Sequence, residues 1–133
     1  MDAQHRRIAE DCLASAHDGS RDFPAIVGAL IAAGFEGYTV DYRRATTTYY
    51  RPDGDSVELS NPFPARPVAA RFDPAAMAAA VREAQSNARG YTYEKFCAKA
   101  VAAGCAGYIV SFSGRRVLYV GRTAETHVEM FPQ

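Results

Sequence analysis

Apolar residues along this chain recur first at helical spacing and then at alternating spacing, and the switch happens twice. In residues 23–33, Ile26, Val27, Leu30 and Ile31 share one helical face, and Gly34 stands where a left-handed residue ends a helix. Residues 93–103 repeat the stripe with Phe96, Cys97, Ala100 and Val101, opened by Thr92 as N-cap and closed by Gly104. Each is preceded by another amphipathic segment, marked by Ile8, Cys12 and Ala16 in one case and Met77, Val81, Ala84 and Ala88 in the other. Asp73 and Pro74 open the later one, because the carboxylate caps free amides and proline has none to satisfy. After each terminating glycine the period becomes two. Tyr38, Val40 and Tyr42 oppose Thr39, Asp41 and Arg43, and Tyr108, Val110 and Phe112 repeat the pattern. Second strands are expected at about Ala45–Arg51 and Arg116–Gly121, the later one reached through the turn dipeptide Ser113-Gly114. Pro52-Asp53-Gly54 makes a tight turn into a third strand, Ser56–Ser60, whose counterpart is Glu125–Met130.

The two halves also match residue by residue. Ala-Ala-Gly-x-x-Gly-Tyr-x-Val occurs at 32–40 and at 102–110, an offset of 70. Further on, GDSVEL around Val57 resembles ETHVEM around Val128 at an offset of 71, which implies one residue gained in the intervening hairpin. The pattern therefore predicts an α+β fold of two tandem α-α-β-β-β repeats, forming a largely antiparallel sheet with helices packed on one face. Residues 1–133 read as a single domain, with repeats at about 1–60 and 73–131 and a proline-rich connector at 61–72.

Over nearly its whole length the chain resembles the bacterial YdfO-like family of domains of unknown function. The most specific parts are FPAIVGALIAAGFEGYTVDYRRATTTYYRPDGDSVEL and GYTYEKFCAKAVAAGCAGYIVSFSGRRVLYVGRTAETHVEMFP. The resemblance implies a small α+β domain and carries no catalytic residue, cofactor or substrate to transfer. Some relatives bear a phage-envelope label, which assigns no role to any residue.

Composition narrows the choices. With 133 residues, 48% of them hydrophobic, the chain is long enough to bury roughly two-thirds of its unfolded surface without a disulfide or metal staple. A net charge of zero argues against a globally basic nucleic-acid binder. Met1–Ala16 is interrupted by charges and no later run is long enough to span a bilayer, so a cytoplasmic protein without membrane association is expected. The odd number of cysteines, Cys12, Cys97 and Cys105, favours reduced thiols. The internal match pairs Cys97 with Val27 and Cys105 with Phe35, which points to core packing.

Two constellations could carry chemistry. Glu125, His127 and Glu129 alternate along the last strand and would share one face, with Thr126, Val128 and Met130 on the other, buried one. Carboxylates beside an imidazole suit a general base or a divalent cation. The plainer reading is a solvated outer face on which Glu129 matches Glu58 and His127 replaces Ser56. No second histidine, cysteine pair or HExxH helix accompanies them, so neither a metal nor a cofactor is expected. The second constellation is Arg43 and Arg44 with Arg115, Arg116 and Arg122, which would form one anion-binding patch if the two hairpins lay side by side, with Tyr49, Tyr50 and Tyr119 adding stacking surface. Here the plainer reading is charged hairpin tips that keep edges apart. Gly34-x-x-Gly37 and Gly104-x-x-Gly107 follow helices and precede strands, the reverse of a phosphate-binding loop.

The function expected from these residues is a small non-catalytic binding or interaction module for a small anionic ligand or a protein partner, with a homodimer as an architectural option. The alternative is a small metal-dependent or acid/base enzyme working through Glu125, His127 and Glu129.

Overall fold

The computed structural model describes residues 1–132. The elements run α1 (Ala3–Asp18), α2 (Phe23–Ala32), β1 (Gly37–Asp41), β2 (Thr46–Tyr50), β3 (Ser56–Ser60), α3 (Pro74–Gln85), α4 (Tyr93–Ala102), β4 (Cys105–Ser111), β5 (Arg116–Gly121) and β6 (Thr126–Met130). All four helices begin in the same way. The side chains of Asp2, Asp22, Asp73 and Thr92 accept a hydrogen bond from the amide three residues on, each cap stabilising its helix by about 1 kcal/mol. Gly34 and Gly104 follow α2 and α4 with φ of 87° and 88°, as a left-handed stop requires.

The six strands form one antiparallel sheet in the order β3-β2-β1-β4-β5-β6. Two like hairpin arrays thus meet at β1 and β4, where Thr39 lies opposite Ile109. The meeting is close. A Cβ on Gly37 would stand 2.3 Å from the Val110 carbonyl oxygen, and one on Gly107 would stand 2.3 Å from that of Val40. Both glycines of the repeated Gly-Tyr-x-Val segment are therefore required by the approach of backbone to backbone. Bonds from Tyr42 N–H to the Ala106 carbonyl and from Phe112 N–H to the Glu36 carbonyl close the seam at either end.

One face of the sheet carries Tyr38, Val40, Tyr49, Val57, Leu59, Tyr108, Val110, Val117 and Tyr119, all buried in one cluster with the inner stripes of the four helices. Leu30 and Met77 from the helices and Val110 from the sheet are buried to completion or nearly so. The tyrosine rings pack edge-on or tilted, as between Tyr38 and Tyr49 and between Tyr108 and Tyr119 (centroids 5.3 Å apart in each pair), and the Tyr93 and Tyr108 hydroxyls lie 2.5 Å apart inside the core. The connector has no regular structure, yet Val68 and Phe72 are buried and Asp73 N–H donates to the Ala103 carbonyl.

The structure corrects the expected offset of 71. The ladder ends at Tyr50 opposite Ser56 between β2 and β3 and at Val120 opposite Thr126 between β5 and β6, so the two hairpins close over the same number of residues and the spacing of 70 holds to the end of β6. Val57 corresponds to His127, and Leu59 to Glu129. Ser113 and Gly114 lie in the turn between β4 and β5, as expected, and the left-handed residues of the two hairpin tips are Ala45 and Arg115, with φ of 56° and 52°. Each tip is held by the last side chain of the strand before it: Asp41 accepts from the Arg43 and Arg44 amides, and Ser111 Oγ accepts from Gly114 N–H.

Candidate functional site

Strand β6 faces the opposite way from the one its sequence suggests. His127 lies opposite buried Tyr119 and Glu129 opposite buried Val117, so both project to the helix-covered side where the first half has Val57 and Leu59. Val128 and Met130, expected inside, are 45% and 52% exposed on the open side. Similarity between the two Val-Glu dipeptides suggested one pairing; the ladder to β5 imposes another, and a one-residue slip exchanges the faces of a strand.

The His127 Nε2–H donates to Glu129 Oε1 at 2.7 Å, and the imidazole lies 6.4 Å from the Tyr119 ring centroid in a near-parallel stack. Both side chains are about a quarter exposed, at 23% and 26%. Glu125 does not join them. It precedes β6 in an exposed loop, where its carboxylate accepts from the Thr123 hydroxyl. The three-residue site expected on one face is therefore a two-residue pair at the edge of the inner face. Among the described residues no group of three or more His, Cys, Asp or Glu side chains could hold a metal ion.

The five arginines do not come together either. Because β1 and β4 are antiparallel, Asp41 lies opposite Gly107 while Ser111 lies opposite Gly37, which sends the two hairpin tips to opposite ends of the sheet. Arg44 faces Glu58 at 3.7 Å. Arg115 lies over the Phe131 ring, 5.9 Å from its centroid, and Arg116 Nε–H donates to the Gly114 carbonyl. Arg122 donates to the Val68 carbonyl at 3.1 Å and so ties the connector to the second half. Tyr49 and Tyr119, expected beside the arginines, belong to the core.

All three cysteines are unpaired and buried. Burial pushes each thiol above its ordinary range, Cys105 to about 11, so none has the stabilised thiolate that a nucleophile needs. Burial acts in the other direction on His17, which is held below 6.5 between the rings of Phe63 and Tyr93, against a smaller opposing pull from Glu94. His17 Nδ1 and the Tyr42 hydroxyl have no hydrogen-bond partner among the described residues, and both residues line a cavity of about 30 Å³ with Asn61, Arg66 and Cys97. That volume suits a water molecule or two and not an organic substrate. A larger hollow, about 340 Å³, lies open between α3 and α4 and is floored by Ala76, Ala79, Ala102 and Ala103, with few polar groups to orient a ligand.

One feature escaped the sequence reading. On the open face, Thr39, Thr48 and Glu58 of the first half stand where the second has Ile109, Leu118 and Val128, in one continuous cross-strand row. Ser60 likewise corresponds to Met130. Apart from Tyr50, the first half has the polar outer face usual for an antiparallel sheet, and the second carries an apolar row across its own. Comparison of the halves at a constant spacing of 70 finds this asymmetry in the sequence alone; the shift to 71 in the third strand, which pairs Glu58 with Glu129, hides its outermost step.

Residues 11–129 match the family described as Protein of unknown function (DUF1398). The chain belongs to that family. None of the curated proteins matches it. No helix among the described residues is long and apolar enough to cross a membrane.

Proposed function

We propose that this member of the family is a single-domain, non-catalytic, cytoplasmic interaction module, similar to the YdfO-like proteins, that takes a protein partner on the open face of β4, β5 and β6. The observation that carries the reading is the exchange of Thr39, Thr48, Glu58 and Ser60 for Ile109, Leu118, Val128 and Met130 at matched positions. Folding alone asks the same of both halves, so an apolar outer surface in one of them answers a different requirement. Arg116 sits beside Met130 in the adjoining row of that face, so the complementary partner presents apolar side chains with a carboxylate at the Arg116 end. The separated arginines and the small cavity favour this partner over a small anion or a substrate.

Panning a phage-displayed random peptide library against the protein tests the reading. It predicts enrichment of apolar peptides containing Asp or Glu, with binding lost in an Ile109→Thr, Leu118→Thr, Val128→Thr variant and weakened by Arg116→Glu. Absence of enrichment, or binders indifferent to these changes, would contradict it.

A further inference from the structure

We infer that β6 is a self-pairing edge, on which a second copy of this chain adds its own β6 antiparallel about Val128, so that His127 of each copy stands opposite Glu129 of the other. The inference rests on the order of backbone groups and side chains along the edge, and does not depend on what binds the open face.

β6 is the last strand of the sheet. Gly121 N–H donates to the Glu125 carbonyl and Phe131 N–H donates to the Arg115 carbonyl, which fixes the alternation between them. Residues 125, 127, 129 and 131 therefore direct their backbone groups to β5, and Thr126, Val128 and Met130 direct theirs to the free edge. Antiparallel pairing about Val128 sets Val128 against Val128 and Thr126 against Met130, matching every outward N–H with an outward carbonyl. His127 and Glu129 then fall in the closer, non-hydrogen-bonded positions on the helix side, giving two cross-strand pairs in which an imidazole N–H faces a carboxylate. Centring the pairing on His127 or on Glu129, a slip of two residues, would set His127 against His127 or Glu129 against Glu129. The order of donor and carboxylate along the edge selects the register.

The other edge shows what an edge guarded against pairing looks like on this scaffold. Arg51 N–H donates to the Asp55 carbonyl and Asn61 N–H to that of Ala45, so Ser56, Glu58 and Ser60 face outward on β3. Pairing of two β3 strands about the equivalent central residue would bring two Glu58 carboxylates together, a known device against association. At that position β6 has Val128. The join would extend the open-face row Ile109, Leu118, Val128 into its symmetry mate without a break. A five-residue edge is small beside the 1,200–2,000 Å² or so of standard interfaces, so a reversible dimer in about the micromolar range is expected, with the α3 helices, which pack on β6, flanking the seam.

Sedimentation velocity from low-micromolar to hundreds of micromolar concentration tests this, with circular dichroism to check folding. The full chain should show a monomer–dimer equilibrium. Val128→Pro deletes an edge-facing N–H without touching the β5 ladder and should give a folded monomer. His127→Glu should weaken dimerisation about tenfold or more, since two pairs become repulsive together, and the exchange His127→Glu with Glu129→His should restore it. If Val128→Pro does not fold, the loss and its rescue by the exchange decide the matter. A chain monomeric throughout, a dimer unaffected by His127→Glu, or a loss that the exchange does not repair would overturn the inference. Leu118→Thr separates the two readings: it should abolish peptide binding on the open face and leave the edge dimer intact.

Discussion

Replacing His127 with Val and Glu129 with Leu gives β6 the inner face that β3 already has, and the consequence can be worked from the structure. Complete burial of a Val or Leu side chain contributes about 1.5–3 kcal/mol. With His127 and Glu129 exposed by 23% and 26%, about three-quarters of that is available at each site, or about 3 kcal/mol together. Against it stand the lost hydrogen bond, worth about 1 kcal/mol at this exposure, and the apolar parts of His127 and Glu129 that are already covered. The double variant should be more stable by about 1–2 kcal/mol, raising the melting temperature by about 4–8 °C for a chain of this size. Urea unfolding followed by far-ultraviolet circular dichroism, at concentrations where the chain is monomeric, measures the change free of any association. The companion variant Val128→Thr with Met130→Thr should stay within about 0.5 kcal/mol of the parent, as surface changes do. A destabilised first variant, or a companion that loses more than about 2 kcal/mol as a core truncation would, refutes the assigned facing of β6.

Three further outcomes are expected. Gly37→Ala places a Cβ 2.3 Å from the Val110 carbonyl oxygen and should cost at least about 3 kcal/mol in chemical denaturation, whereas Gly34→Ala has open space around it and should cost only about 1–2 kcal/mol for its left-handed backbone. Cys12, Cys97 and Cys105 should resist a colorimetric disulfide reagent in the folded protein and react when it is unfolded; a thiol that reacts at once in native buffer would contradict their burial. Because the folded-state pKa of His17 is depressed, its contribution to stability is complete above about pH 6.5 and is lost as the pH falls through the lower folded value. His17→Phe should flatten that part of the stability profile, and an unchanged slope would show that His17 does not supply it.

The helices were readable because their signals are local. Asp73 with Pro74, Thr92, and the glycines after α2 and α4 act within one turn of chain, and the structure places each where its chemistry requires. Alternation likewise located β3 and β5 and the central strands. It cannot say which side of a strand meets the helices, because that depends on a neighbour distant in sequence. For β6 the inner pair is His127 and Glu129 and the outer residues include Val128 and Met130, so hydrophobicity alone points the wrong way and only the Tyr119–His127 register corrects it. The proposed arginine patch failed for a related reason. Arg43 and Arg115 occupy equivalent places in two like hairpins, but antiparallel pairing of β1 with β4 sets equivalent places at opposite ends. The open-face contrast between Thr48 and Leu118 was present in the sequence throughout, and it emerges once the halves are compared at one spacing.

The orientation of β6 underlies both proposals, and side-chain nuclear Overhauser effects test it most directly. The account predicts contacts between the His127 imidazole protons and the Tyr119 ring, and between the Val128 methyls and those of Leu118. Val128 methyls in contact with the Tyr119 ring, with the His127 imidazole on the side of Leu118, would contradict it.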